Sequence, residues 1–235
     1  MKQLIVASTS TLHGESYLEY LLPELENLFL NTNEILFIPY ARPGGISHDS
    51  YTQIAQSAFT KINKTVTGIH SIEDPISAIK TAKGIFTGGG NTFVLVKQLH
   101  QLDLMAHLKH TIEEGIPYLG TSAGSNICGL NMKTTNDMPI VYPPSFKTLG
   151  ILPFNINPHY LDPDPSSIHM GETREKRIQE FHSQNDISVI GLREGSWIKV
   201  SEDDLILKGH HSARVFKANQ PSYEVPTGTN FKMEN

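Results

Sequence analysis

Gly120-Thr121-Ser122-Ala123-Gly124 fits G-x-S-x-G and follows the apolar run Ile116-Pro117-Tyr118-Leu119 directly. Where a chain reverses sharply between strand and helix, small flanking residues leave a serine hydroxyl exposed above the sheet edge. A tight turn with an ordinary capping serine has the same pattern. Position favours chemistry, because open α/β sheets hold ligands at the carboxyl ends of their strands. A second segment, Thr87-Gly88-Gly89-Gly90-Asn91-Thr92, also falls between strand and helix. Its glycines let backbone N–H groups approach a ligand closely, and a helix N-terminus favours negative charge there. No lysine follows in phosphate-loop spacing, and Phe93 stands where a dinucleotide fingerprint needs its third glycine. A phosphate cradle, half an oxyanion hole and a flexible turn therefore stay open for this segment.

A serine hydroxyl is a poor nucleophile at neutral pH, so an imidazole must take its proton and a further group must orient that imidazole. Of the 11 histidines, His100, His107 and His110 lie on polar helical segments, and His210-His211 lies in a turn-rich stretch without a metal-ligand pattern. His159 differs. It ends Phe154-Asn155-Ile156-Asn157-Pro158-His159, a short alternating segment whose end reaches the sheet rim, although a surface-loop histidine would read the same. Two acids compete to orient it, Asp137 in Thr134-Thr135-Asn136-Asp137-Met138-Pro139 and Glu194 in Leu192-Arg193-Glu194-Gly195. Spacing does not choose between them, and either also suits a turn. Arg174 stands at i with Ile178 at i+4 and Phe181 at i+7, sharing the inward stripe of a helix expected over 173–182. Such a guanidinium either pairs with an internal carboxylate or binds an anionic ligand.

The elements that must position these residues alternate. Buried strands are expected at 4–7, 35–39 and 116–120 and further strands at 65–69 and 84–87, with helical spacing over 17–28, 75–81, 92–100 and 104–114. This order implies right-handed crossovers and a mostly parallel sheet covered by helices. Beyond residue 130, Pro139, Pro143, Pro144, Pro153, Pro158, Pro163 and Pro165 punctuate a loop-rich stretch. Residues 187–225 read as short antiparallel strands. With no linker, repeat or low-complexity tract, a single domain over 1–235 is expected.

Composition narrows the partners. The 235 residues carry 19 Lys+Arg against 24 Asp+Glu, a formal charge of −5 with no basic run, which argues against nucleic acid and anionic membranes. The lone cysteine, Cys128, permits neither an internal disulfide nor a thiolate zinc site, as in a reducing compartment. The apolar run near the N-terminus is too short for a secretory or spanning segment, so a cytoplasmic location is expected.

Together these blocks resemble the peptidase E (alpha-aspartyl dipeptidase) family of serine peptidases. The resemblance is carried by Gly88-Gly89-Gly90-Asn91-Thr92-Phe93, Ser122-Ala123-Gly124-Ser125-Asn126, Thr134-Thr135-Asn136-Asp137-Met138-Pro139-Ile140-Val141, Asn155-Ile156-Asn157-Pro158-His159, Gly171-Glu172-Thr173-Arg174-Glu175 and Ile190-Gly191-Leu192-Arg193-Glu194-Gly195. These blocks keep the family's order over most of the chain. One departure is Thr121, where relatives carry a bulky aromatic. The resemblance implies an α/β three-layer sandwich of the class I glutamine amidotransferase type, with C-terminal antiparallel strands and serine in place of that group's cysteine. It implies hydrolysis of dipeptides with N-terminal aspartate, by a monomer or homodimer needing no metal or cofactor. Ser122 would be the nucleophile and His159 the base and then the acid. Asp137 matches the usual orienting position, with Glu194 a second acid in reserve. The amides of Gly89 and Ala123 would form the oxyanion hole, and Arg174 would bind the substrate's β-carboxylate.

Three neighbouring readings differ in outcome. A cyanophycinase-like enzyme would use the same serine on a β-linked aspartyl bond. An α/β-hydrolase esterase shares the elbow but keeps its histidine near the chain end, whereas His159 falls well before it. An anion-binding module would hold a carboxylate or phosphate without turnover. A metal-independent serine peptidase is expected to hydrolyse Asp-Leu at full rate in excess EDTA and to lose that activity in Ser122→Ala. Inactivation by EDTA with recovery on added zinc would contradict it.

Overall fold

A computed structural model of the chain describes residues 1–164, 166, 168 and 171–232, so Pro165 lies outside the described residues. The strands are β1 (Gln3–Ala7), β2 (Glu34–Ile38), β3 (Thr65–Gly68), β4 (Ile85–Thr87), β5 (Tyr118–Thr121), β6 (Asn155–Pro158), β7 (Val189–Leu192), β8 (Ser196–Ser201), β9 (Asp204–Gly209), β10 (Ala213–Phe216) and β11 (Tyr223–Val225). The helices are α1 (Leu22–Leu28), α2 (His48–Thr60), α3 (Pro75–Thr81), α4 (Thr92–Gln101), α5 (Leu104–Glu113), α6 (Ala123–Asn126) and α7 (Arg174–His182). Among the described residues none of these helices is long and apolar enough to cross a membrane.

The central sheet has the order β3-β2-β4-β5-β1-β8-β9, parallel from β3 to β1 and antiparallel at β8 and β9. Side chains alternate between its faces with the period of two that a strand imposes. Leu4 and Val6 pack with Leu36, Ile38, Ile85 and Tyr118 beneath α3, α4 and α5. Ile5 and Ala7 pack on the other face with Ile35, Phe37, Phe86 and Leu119 beneath α1 and α2. Each such aliphatic or aromatic side chain contributes about 1.5–3 kcal/mol by leaving water, so β1 stays fixed between two cores. The second sheet, β11-β10-β7-β6, is antiparallel except for the parallel pair β6–β7. Its Ile156, Ile190 and Leu192 join the first of those cores.

The structure departs from the sequence-based expectation in three places. Helix α2 was not expected, because its inward positions are Tyr51, Ala55, Ala58 and Phe59 and the two alanines give little apolar contrast. The stretch 17–28 is not one helix: Leu18 takes φ 59°, a 3₁₀ turn spans Glu19–Leu21, and α1 begins only at Leu22 with Pro23 in its first turn. The C-terminal strands pair antiparallel as expected but divide between two sheets, a split the sequence did not indicate. The pair β8–β9 extends the central sheet, while β7 runs parallel to β6 in the other.

The elbow between β5 and α6 leaves no room for added side-chain atoms. Ser122 adopts φ 53° and ψ −111°, a conformation in which an L-residue is strained. A Cβ on Gly124 would run into the Thr87 carbonyl oxygen, and one on Gly120 into the Gly124 carbonyl oxygen. Gly124→Ala is therefore expected to cost ~3 kcal/mol, read as a lower urea midpoint. A loss below about 1 kcal/mol would show that the turn has slack.

Candidate active site

Register brings three loop starts to one edge. Ala7 pairs with Thr121 and Thr87 with Gly120, so Ser8, Gly88 and Ser122 all leave the carboxyl ends of adjacent parallel strands. In the second sheet Pro158 pairs with Leu192, which sets His159 beside the Arg193-Glu194 turn. Ser8, fully buried, joins the two sheets: its Oγ donates to Leu192 O at 2.7 Å and accepts from His159 N at 2.8 Å. His159 itself has φ 53°. That left-handed residue turns the imidazole from the end of β6 toward β5.

The imidazole spans nucleophile and acid. His159 Nε2 lies 2.8 Å from Ser122 Oγ and Nδ1 lies 2.6 Å from Glu194 Oε1. With the proton on Nδ1, the ring donates to Glu194 and accepts from the Ser122 hydroxyl, the arrangement a general base needs. The residue before Glu194 is clamped on both sides. Arg193 donates to both carboxylate oxygens of Asp162, at 2.9 and 2.7 Å, and to those of Glu224, at 3.0 and 2.8 Å. These bonds push the Glu224 carboxyl down to about 2, so the clamp stays charged throughout the neutral range.

Asp137 does not reach the imidazole, and the geometry corrects the expectation that it would. Among the described residues every hydrogen bond to its carboxylate falls on Oδ2, which accepts from Thr92 N at 2.7 Å, Thr92 Oγ1 at 2.6 Å and Thr135 Oγ1 at 2.9 Å. The carboxylate thus sits at the N-terminus of α4, where the helix dipole favours a negative charge. Its loop is fixed by amides: Asn136 Nδ2 donates to Pro158 O at 2.6 Å and Asn157 Nδ2 to Asn136 Oδ1 at 2.7 Å. Asp137 Oδ1 has no hydrogen-bond partner among the described residues.

The glycine segment touches the serine. A Cβ on Gly89 would stand 2.9 Å from Ser122 Cβ, and one on Gly90, at φ +143°, would overlap the Ala41 carbonyl. Tyr51 on α2 donates from its hydroxyl to Gly89 O at 3.2 Å, which orients that peptide. Among the described residues neither Gly89 N–H nor Ala123 N–H donates to an acceptor. Arg174, at the start of α7, is half-buried and lines a groove of about 440 Å³ with Leu161, Asp164, Glu172 and Arg177. Partial burial, then Arg177, holds its guanidinium below the usual arginine value, and the charge of Asp137 opposes that shift. Its neighbours Arg177 and Arg214 meet Glu172 and Glu175, each at 3.8 Å, while Arg174 has no ion pair among the described residues. Cys128 is buried and its thiol is pushed strongly up by desolvation, so it is no rival nucleophile. Among the described residues no cluster of His, Cys, Asp or Glu is arranged to hold a metal ion.

Ser8 and Tyr51 lie in none of the motifs read from the sequence, and Arg193, within one of them, has no role assigned there. The available signal for Ser8 was a polar residue closing an otherwise fully buried strand.

The sequence pattern described as Peptidase family S51 matches residues 4–208. The chain is 44% identical over 226 residues to "Peptidase E" of Streptomyces coelicolor, covering 96% of this chain and 92% of that protein. The chain belongs to peptidase family S51. A second S51 relative, "Probable alpha-aspartyl dipeptidase" of Drosophila melanogaster, is 43% identical over 227 residues, covering 95% and 93% of the two chains. Two solved structures share the fold. A putative peptidase E from Listeria monocytogenes EGD-e aligns with TM-score 0.67 at 20% identity, over 90% of this chain and all of that one. A peptidase from an acI-B1 actinobacterium aligns with TM-score 0.71 at 16% identity, over 99% and 97%.

In an S51 peptidase with this geometry, Glu194→Gln is expected to lower kcat by about 100-fold or more, because the imidazolium formed in the transition state loses its counter-charge. Asp137→Asn is expected to act mainly on KM. Steady-state kinetics of both variants checks this, and the reverse pattern would return Asp137 to the imidazole.

Proposed function

We propose that the chain is a serine dipeptidase that hydrolyses Asp-Xaa, with Ser122 as nucleophile, His159 as base and then acid, and Glu194 as the orienting carboxylate. The observation that carries this reading is the Glu194–His159–Ser122 array, with hydrogen-bond distances of 2.6 and 2.8 Å, built on a strained elbow. Ser122 attacks the scissile carbonyl as its proton passes to His159 Nε2. The oxyanion meets the N–H groups of Gly89 and Ala123, each of which is worth about 10²–10³ in turnover. The imidazolium then protonates the leaving amine, and water, deprotonated by the same ring, releases aspartate from the acyl-enzyme.

Selection for aspartate rests on charge. Arg174 pairs with the β-carboxylate, where asparagine offers no anionic acceptor. Asp137, acting on Arg174 by charge and keeping Oδ1 unpartnered, accepts the α-ammonium beside the glycine segment. The relatives' printed names, "Peptidase E" and "Probable alpha-aspartyl dipeptidase", agree with this substrate class. A non-catalytic anion-binding module would give no reason for an imidazole hydrogen-bonded to a serine at φ 53°. The finer fold assignment, a class I glutamine amidotransferase-like sandwich forming one domain, is supported by the nucleophile's place after β5 and by the Ser8 bridge between the sheets.

Purified protein is expected to cleave Asp-Leu well ahead of Asn-Leu and Ala-Leu. Arg174→Ala should raise KM for Asp-Leu at least about tenfold while leaving thermal unfolding nearly unmoved. Equal rates on all three dipeptides, or a variant that loses stability rather than affinity, would contradict the specificity assignment.

A further inference from the structure

A dipeptide Asp-Xaa carries three charged groups, and the site as described accounts for two of them. The terminal carboxylate of the leaving residue lies only one residue, about 3.8 Å of backbone, beyond the scissile bond, so its partner must stand close to Ser122. From the geometry we infer that Arg42 binds this terminal carboxylate, an inference that rests on the Asp-Xaa reading above.

Arg42 follows β2, the neighbour of β4 at the carboxyl edge. Its guanidinium carbon lies 4.3 Å from the centroid of the Tyr51 ring. Tyr51 donates to Gly89 O at 3.2 Å and accepts from the Tyr17 hydroxyl at 3.1 Å, so the platform under the guanidinium is tied to the residue whose N–H faces the oxyanion in the proposed reaction. The backbone is tied there too. Ala41 O accepts from Asn91 N at 2.7 Å, and it packs so closely on Gly90 that no Cβ fits between them.

The cation is positioned yet unneutralised. Among the described residues no carboxylate pairs with Arg42, and its Nε is a buried donor without an acceptor. A buried guanidinium nitrogen left without a partner costs stability unless a ligand satisfies it. Arg42 also approaches from the face opposite Asp137. Tyr51 belongs to the core under α1 and α2, whereas α4, whose N-terminus holds Asp137, belongs to the other. A substrate whose aspartyl end meets Asp137 and Arg174 therefore presents its other end toward Arg42. In this arrangement a free carboxylate at the second residue, and hence dipeptide length, is read by a charge pair.

The test compares Asp-Leu with its C-terminal amide, Asp-Leu-NH2, on the full chain. The wild type is expected to show a KM about tenfold lower for the acid than for the amide, as a charge-assisted hydrogen bond would give. In Arg42→Gln that preference should collapse to about one, while Arg42→Lys should keep part of it. Thermal unfolding of both variants, together with their turnover of the amide, shows that the elbow is intact. An acid-to-amide ratio near one in the wild type, or a ratio that survives in Arg42→Gln, would overturn the assignment of Arg42 while leaving Asp-Xaa hydrolysis standing. Failure of the wild type to cleave either substrate would overturn both.

Discussion

The contact between Ser122 Oγ and His159 Nε2, 2.8 Å long, joins residues from two different sheets, and much of the fold serves to keep it. Neither partner could hold its place alone. Ser122 is thrust up by a turn that only glycine permits on either side, and His159 leaves β6 in a left-handed conformation that sets the direction of its ring. Ser125 braces the elbow, its Oγ bonding Ala7 O at 2.6 Å or Gly120 O at 2.8 Å. Ser8 does the same across the junction, accepting from the His159 backbone and donating to β7. The strain at two residues is thus set against a close-packed core on each face of β1, where no backbone slack is available to relax it.

The two acids near this contact divide their work by position. Glu194 stands at the end of β7, next to an arginine clamped by two carboxylates, and meets the one ring nitrogen that must carry a proton. Asp137 sits at the head of α4, where a backbone N–H and two hydroxyls fix one of its oxygens. A carboxylate placed there leaves its second oxygen for a cation beside the glycine segment. In the proposed reading, Arg174 and Arg42 complete the charge pattern of a short peptide. On that reading the chemistry at Ser122 is general, while selection comes from fixed charges around it.

How much of this was legible in the sequence follows from what each feature depends on. The parallel strands β1, β2, β4 and β5 were, because strands buried on both faces read as nearly continuous apolar runs, while the exposed edge strand β3 was legible only by its β-branched residues. That Ser122, His159 and the glycine segment would meet was legible too, from small residues flanking the serine and from a histidine closing a short alternating segment. The choice between Asp137 and Glu194 was not, since each lies in a polar turn and only the pairing of Pro158 with Leu192 brings one of them to the ring. Helix α2 escaped notice because alanines at its inward positions weaken the periodic signal, and with it went Tyr51 and the setting of Arg42. The split of the C-terminal strands between two sheets depends on tertiary pairing that local turn residues do not encode.

The central claim is that His159 activates Ser122 through their direct hydrogen bond. Reaction with diisopropyl fluorophosphate tests it, because the serine oxygen displaces fluoride from phosphorus and leaves a stable adduct that peptide mass spectrometry can locate. One adduct per chain is expected, on Ser122, forming far more slowly in His159→Ala. An adduct on another residue, or labelling of Ser122 at the same rate without the imidazole, would contradict the account.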